Sequence, residues 1–253
     1  MLPSSPSNET TAFGEGLYRG VAGKVHSFTI EPKDIFGNRL VDFTGQLDQF
    51  QATAELVDSN DDNGFGNSLI PVIISYNDRN TWQYDASWTP RRAGIYQLNV
   101  TLEEGHIFGS PFLVNTEPSL TFAPESIAIG GDVFCLPWMT SSCSSLNHGI
   151  AGEPSSFTIQ AFDAFANMRN VGGDEWDIVV TSASSDSSTD YTVGRIETDY
   201  GNGTYVATVT PLFSGVNDLH ISLNGSPLKG SPFKMDVIHG SALGSPTLSL
   251  ATE

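Results

Sequence analysis

The sequence predicts an all-β chain folded as two tandem antiparallel β-sandwiches. Three observations carry that prediction. Ala22, Gly23, Ser27, Phe28, Thr29, Ile30, Asp34, Phe36 and Asn38 return as Ala151, Gly152, Ser156, Phe157, Thr158, Ile159, Asp163, Phe165 and Asn167, at a constant shift of 129 residues. Thr89, Pro90, Gly94, Gly109, Ser110, Pro111 and Phe112 return as Thr210, Pro211, Gly215, Gly230, Ser231, Pro232 and Phe233, shifted by 121. Self-similarity at this period marks a duplicated unit of roughly 110 residues, an ordinary size for a body with its own core. Between the shared marks the segments are short, rich in β-branched and aromatic residues, and bounded by Gly, Pro, Asn and Asp. No stretch keeps the apolar period of an amphipathic helix.

Taken in order, the first copy reads as strands at 26–32, 50–57, 69–76, 82–88 and 96–102. In the last of these Tyr96, Leu98, Val100 and Leu102 alternate with Gln97, Asn99, Thr101 and Glu103. That period of two puts one face in a core and the other in water. About seven such strands per unit, with turns every 8 to 12 residues, is the pattern of an immunoglobulin-like sandwich. The Cys and Trp framework of antibody domains is missing from both copies. Gly94 and Gly215 follow a Pro-containing turn and precede a strand, where a residue free to take positive φ is useful. Pro111 leads into Phe112, as Pro is tolerated at the start of a strand or on an edge. Phe28, Phe50, Trp88 and Phe112 in one copy, and Phe157, Trp176, Tyr205 and Phe233 in the other, are the expected core aromatics. Each is worth about 2 to 3 kcal/mol when buried.

The 253 residues are 39% hydrophobic and 10% aromatic, enough for two cores. A formal net charge of -18, from 29 acidic against 11 basic residues, disfavours nucleic acid and anionic lipid as partners. No apolar stretch approaches about 20 residues, and the first eleven residues lack a basic and an apolar region, so no direct membrane contact is expected of this segment. Pro118, Ser119, Leu120, Thr121, Phe122 and Ala123 follow the first Gly-Ser-Pro-Phe; Pro246, Thr247, Leu248, Ser249, Leu250 and Ala251 follow the second. The expected organisation is therefore a first repeat at 8–117, a second at 118–240, and at 241–253 the start of a truncated third repeat or a linker, cut from a longer array.

The second copy carries an insertion at 130–145 that holds both cysteines, Cys135 and Cys143. Two cysteines eight apart in a Gly- and Ser-containing loop suit a disulfide of about 2 to 3 kcal/mol in an oxidising compartment. The alternative is a pair of free thiols in a reducing one. Asn8, Asn99, Asn202 and Asn224 open Asn-x-Ser/Thr sequons, with Asn99 and Asn202 the accessible glycosylation candidates and Asn224 weakened by Pro227. The five histidines are scattered, and neither a catalytic motif nor a Gly-rich phosphate loop is present. The expectation is no enzyme, no cofactor and no metal. The cluster Asp58, Asn60, Asp61, Asp62, Asn63 and Gly64 lacks the twelfth-position Glu of a calcium loop, where Leu69 stands, and reads as a solvated loop.

The order Gly-(Val/Ile)-Ala-Gly, Ser-Phe-Thr-Ile, Asp-x-Phe-x-Asn, Tyr, Thr-Pro, Gly and Gly-Ser-Pro-Phe resembles the filamin-type immunoglobulin repeat. Its marks stand at 20–23, 34–38, Tyr84, 89–94 and 109–112, and again at 149–152, 163–167, Tyr205, 210–215 and 230–233. Gly172, Gly173 and Asp174 ahead of Trp176 are similar to a further family mark, Gly-Gly-Asp-x-Phe. The resemblance implies a partner peptide lying along strand D, in the groove between strands C and D. On this sequence strand C falls near 48–57 and 174–181, and strand D near 69–76 and 191–197. The implied partner-binding residues are Leu69, Ile70, Val72, Ile73, Ile74, Tyr76, Tyr191 and Val193. The residues themselves agree: an apolar run containing Pro71 reads as an unpaired edge, a template for another strand. The competing expectation is an edge capped by its own loop, by the neighbouring domain or by the Asp- and Ser-rich run at 181–190.

Three functions remain open at this point. The chain resembles the filamin-like repeats of gamete-surface adhesion proteins, which implies an extracellular adhesion module binding another cell-surface protein. It also resembles filamins proper, which implies a cytoplasmic scaffold segment linking cytoskeleton to receptor tails. A passive spacer setting length is the third.

Overall fold

The computed structural model describes residues 6–41, 50–58, 69–77, 82–131, 144–183 and 190–240. Cys135 and Cys143, the acidic cluster at 60–64, the stretch 184–189 and the segment 246–251 lie outside the described residues. The chain divides into two compact units, one made of Met1–Leu120 with Asp163–Asn170, the other of Thr121–Phe162 with Val171–Glu253.

The first unit holds β1 (Thr11–Phe13), β2 (Arg19–Val21), β3 (His26–Glu31), β4 (Phe50–Asp58), β5 (Leu69–Pro71), β6 (Ile73–Asn77), β7 (Gln83–Trp88), β8 (Gly94–Leu102), β9 (Gly105–His106) and β10 (Phe112–Glu117). They form two sheets, β1-β3-β7-β6 and β2-β10-β8-β4-β5, with β9 folded back on β8. All pairings are antiparallel except β2 with β10, where Asn115 to Glu117 run parallel to Arg19 to Val21. The alternation read along β8 holds: Tyr96, Leu98, Val100 and Leu102 are buried while their neighbours face outward. Opposite them Phe28 and Ile30 of β3 and Tyr84, Ala86 and Trp88 of β7 complete one apolar core.

The second unit repeats the plan. Its strands are β11 (Ile127–Gly130), β12 (His148–Ile150), β13 (Ser155–Gln160), β14 (Trp176–Ser182), β15 (Tyr191–Val193), β16 (Arg195–Asp199), β17 (Thr204–Val209), β18 (Gly215–Leu223), β19 (Ser226–Pro227) and β20 (Phe233–Ile238). The sheets are β11-β13-β17-β16 and β12-β20-β18-β14-β15, with β19 on β18. Trp176, Tyr205, Leu219 and Ile221 lie in its core. The Tyr205 hydroxyl donates to the Asp174 carboxylate at 2.8 Å. A carboxylate partner satisfies a phenol that would otherwise be stranded by burial. No α-helix occurs among the described residues.

Gly94 and Gly215 take φ of 141° and 102°, as their place before a strand predicts. Six of the expected core aromatics are buried, but Phe112 and Phe233 are only half-buried and cover the core from its margin. Each ring lies over the glycine that opens its turn: a Cβ on Gly109 would sit 3.3 Å from the Phe112 ring, and one on Gly230 3.2 Å from that of Phe233.

Candidate peptide-binding edge

Strand D departs from its expected form. The run 69–76 reads as one continuous edge strand beside strand C, but the structure breaks it into two. Leu69, Ile70 and Pro71 of β5 pair with Glu55, Ala54 and Thr53 of β4, which is strand C. Ile73 to Asn77 of β6 pair instead with β7 in the opposite sheet. Val72 lies between them and donates its amide to the Ala52 carbonyl at 3.2 Å. With Val72 still bonded to strand C, the N–H that Pro71 lacks is on the outer side of β5, where a proline is tolerated on an edge, and the chain crosses to the second sheet after Val72.

The second unit makes the same crossing without a proline. Tyr191 to Val193 of β15 pair with Thr181 to Val179 of β14. Gly194 then donates to the Ile178 carbonyl at 2.8 Å, and β16 pairs with β17. A Cβ on Gly194 would lie 2.6 Å from Ile178 Cγ2 and 2.9 Å from the Thr208 carbonyl oxygen. Glycine is what lets the chain pass this close to strand C.

The split sorts the implied binding residues into two sets. Leu69 is 60% exposed, Ile73 72% and Tyr191 and Val193 more than half; Tyr76 is 36% exposed. Ile70, Val72 and Ile74 point the other way and pack against the core. The Tyr76 ring meets that of Tyr84 edge-on at 5.5 Å and that of Trp82 at 6.4 Å, an aromatic row along the outer end of β6. This row was not singled out in the sequence, although its residues are spaced as cross-strand neighbours.

Among the described residues, β5 and β15 end one sheet of each unit, and β6 and β16 end the other. Their outer backbone groups therefore face away from any neighbouring strand in the described structure. The polar groups beside these edges are mostly acidic or neutral. Glu55 stands opposite Leu69, and Asp85 opposite Ser75 accepts from Asn77 Nδ2 at 2.9 Å. On β16 Arg195 pairs with Glu197 at 2.6 Å, an exposed contact worth little on its own. Among the described residues no three His, Cys, Asp or Glu side chains converge as metal ligands would.

Of the glycosylation candidates, Asn202 lies in the exposed turn between β16 and β17, where its side-chain oxygen accepts from the Thr204 amide at 3.1 Å. Asn99 is half-buried on β8, a strand flanked on both sides by others.

The sequence model of the Filamin/ABP280 repeat matches residues 3–113 and 140–234. Mouse (Mus musculus) filamin-C is 26% identical over 238 residues, which cover 94% of this chain and 7% of filamin-C. The mouse E3 ubiquitin-protein ligase TRIM71 is 26% identical over 140 residues, 54% of this chain and 16% of that protein. The chain thus spans a small fraction of the length of either relative. Among solved structures, the Escherichia coli adhesin FdeC superposes with a TM-score of 0.54 at 17% identity, covering 93% of this chain and 66% of that one. Invasin, a bacterial integrin-binding protein, gives 0.51 at 14% identity, covering 93% and 41%. These last two likenesses are of fold.

Proposed function

Starting from a chain that belongs to the Filamin/ABP280 repeat family, we propose that it is a non-enzymatic protein-interaction module whose partner adds an extended peptide at the edges formed by the split strand D. The supporting observation is that β5, β6 and β15 end their sheets while turning apolar side chains outward, and that β16 ends its sheet with a polar outer face. Backbone hydrogen bonds to such an edge supply affinity, and side chains at a period of two supply specificity. Leu69 on β5 or Ile73 on β6 in the first unit, and Tyr191 and Val193 on β15 in the second, would meet apolar residues on one face of the peptide. Against a surface of net charge -18 the intervening positions would favour Lys or Arg.

We place this module outside the cell, as an adhesion segment. The exposed Asn202 sequon supports that reading, since its turn leaves the amide side chain open to a glycosyltransferase.

Amide chemical-shift mapping of the whole chain with selected extended peptides tests the binding site. The expected result is perturbation of 69–77 and 191–199, lost in Ile73→Lys with Val193→Lys. Perturbation confined to β1, β2 and their counterparts β11 and β12 would refute it. Intact mass of the chain from its own host, before and after deglycosylation, tests the compartment; an unmodified Asn202 counts against export.

A further inference from the structure

The outer face of the first unit's four-stranded sheet carries an open depression of about 550 Å³. Two rows of side chains form it. Phe13, Thr29, Asp85 and Ser75 stand opposite one another across β1, β3, β7 and β6, and Ser27 and Ser87 pair in the next row of the same face. At about 4.8 Å per strand spacing the first row is about 14 Å long, room for one or two six-membered rings. The sequence accounts for the shape. β1 ends at Phe13, and Gly14, with φ of 132°, turns the chain away; a Cβ there would come 2.9 Å from Phe28 Cα. Past that turn the floor is two serines, the smallest hydroxyl side chains, beside a Phe13 ring that is 49% exposed.

The polar groups of this floor are largely uncommitted. Among the described residues the hydroxyls of Ser27, Thr29 and Ser87 have no hydrogen-bond partner in the protein, and Ser75 reaches only the Asp85 carbonyl, at 3.4 Å. Asp85 Oδ2 accepts from Asn77 Nδ2 at 2.9 Å, which leaves Oδ1 able to accept from a ligand. The lining holds one carboxylate and no cation.

The second unit shows the same face without these features. Ile129, Thr158, Val206 and Thr198 make the corresponding row, so a valine stands for Asp85 and an isoleucine for Phe13. Ser156 and Thr208, in the places of Ser27 and Ser87, bond each other at 2.9 Å. The two sheets share their plan, and only the first combines a carboxylate, open hydroxyls and an aromatic ring.

We propose that this depression binds a neutral pyranose saccharide. A sugar hydroxyl both donates and accepts, as Ser and Thr hydroxyls do, so Ser27, Thr29 and Ser87 can meet adjacent ring hydroxyls in either sense. Asp85 Oδ1 accepts from one of them in a charge-assisted bond, the strongest contact of the site. The Phe13 ring covers the apolar C–H face of the sugar, while the polar groups fix its orientation. Charge selects against acidic ligands: an anion would meet Asp85 with no cation to offset it, on a chain of net charge -18. The site lies on the face of the sheet and makes no use of the β6 backbone, so it stands apart from peptide addition at that edge. Because the depression is open to water, the affinity belongs near a Kd of about 1 mM.

Amide chemical-shift titration of the full chain provides the test, with the methyl glycosides of glucose, galactose, mannose and N-acetylglucosamine, each taken to about 50 mM, well above that Kd. At least one should give saturable shifts at Ser27, Thr29, Asp85 and Ser87, with none at Ser156, Thr158 and Thr208. Glucuronic acid should bind at least about tenfold more weakly than the best neutral sugar. Asp85→Val copies the second unit and Phe13→Ala removes the ring; each should weaken binding about tenfold or more, and its own spectrum establishes that it is folded. Ser156→Ala, on the matching face, should leave the affinity unchanged. Absence of saturable shifts with all four glycosides, equal shifts on both faces, equal binding of glucuronic acid, or undiminished affinity in either variant of the site overturns the proposal.

Discussion

The Tyr96 hydroxyl donates to the Arg92 carbonyl, four residues back, at 2.9 Å. At the matching place in the second unit Asn217 Nδ2 donates to the Phe213 carbonyl, also at 2.9 Å, and to that of Gly215. Two different side chains thus close the same loop before the same long strand. Tyr96→Phe leaves the Arg92 carbonyl without this partner and is expected to cost about 1 to 2 kcal/mol of stability in the first unit. Asn217→Ala strands two carbonyls and opens a small void, and should cost the second unit about 2 kcal/mol or more. Denaturant midpoints read unit by unit check both. Burial pushes the Tyr96 phenol up to about 12, so its contribution should fade as pH rises past about 10, where the unfolded chain ionises first.

Acid should weaken the first unit through His26. This imidazole is 3% exposed, stacked edge-on against Trp88 at 4.7 Å, with Nε2 3.4 Å from the Val21 carbonyl and Nδ1 buried without a partner among the described residues. Burial lowers its pKa, against a smaller opposing effect of the Val21 carbonyl. The unfolded chain then takes up the proton first. Stability from this site is complete above about pH 6.5 and is lost as pH falls toward the folded value. Melting temperatures of the parent chain should drop between pH 7.5 and 5 more steeply than those of His26→Leu. Parallel curves would show that the imidazole is not the acid-sensitive group.

Neighbouring isoleucines on β6 should respond in opposite ways. Ile73 faces solvent, so Ile73→Lys should change stability by less than about 0.5 kcal/mol while removing the proposed peptide binding at the edge of the first unit. Ile74 packs on the core, and Ile74→Lys should cost about 2 kcal/mol or more, because a charge must either enter the core or force the strand away. Equal destabilisation by the two would mean that β6 is not a one-sided edge.

Much of this architecture was legible from residue order. The duplicated marks located both sandwiches, the alternation from Tyr96 to Leu102 located the inner face of β8, and Pro71 placed strand D on an edge. What could not be read was where strand D changes sheets. An apolar run such as 69–76 looks uniform because each half is one-sided against a different partner, and that choice is made by β4 and β7, far away in sequence. The half-buried state of Phe112 was hidden for a related reason: its ring closes over Gly109, a contact that hydrophobicity alone does not report. The ring of Phe165 over Gly23 was equally silent, since a repeated Ala-Gly pair shows a turn and says nothing of what lies over it.

The crossing point itself makes the last prediction. Val72 and Gly194 hold equivalent places, each donating its amide to strand C, yet one carries a branched side chain and the other none. In the first unit the Val72 side chain packs on the core, so Val72→Gly should cost about 1 to 2 kcal/mol in lost burial and added backbone freedom. In the second unit a side chain at 194 would collide with Ile178 Cγ2 and with the Thr208 carbonyl, one on each sheet. Gly194→Val should therefore cost about 1 to 3 kcal/mol through overpacking, and Gly194→Ala somewhat less. The buried Trp176, on the strand beside this crossing, is the natural fluorescence probe for urea unfolding of that unit. If Gly194→Val unfolded at the parent midpoint, the two sheets would have to part freely here, and the crossing could not be the rigid pivot that sets the position of Tyr191 and Val193 on the edge of their sheet.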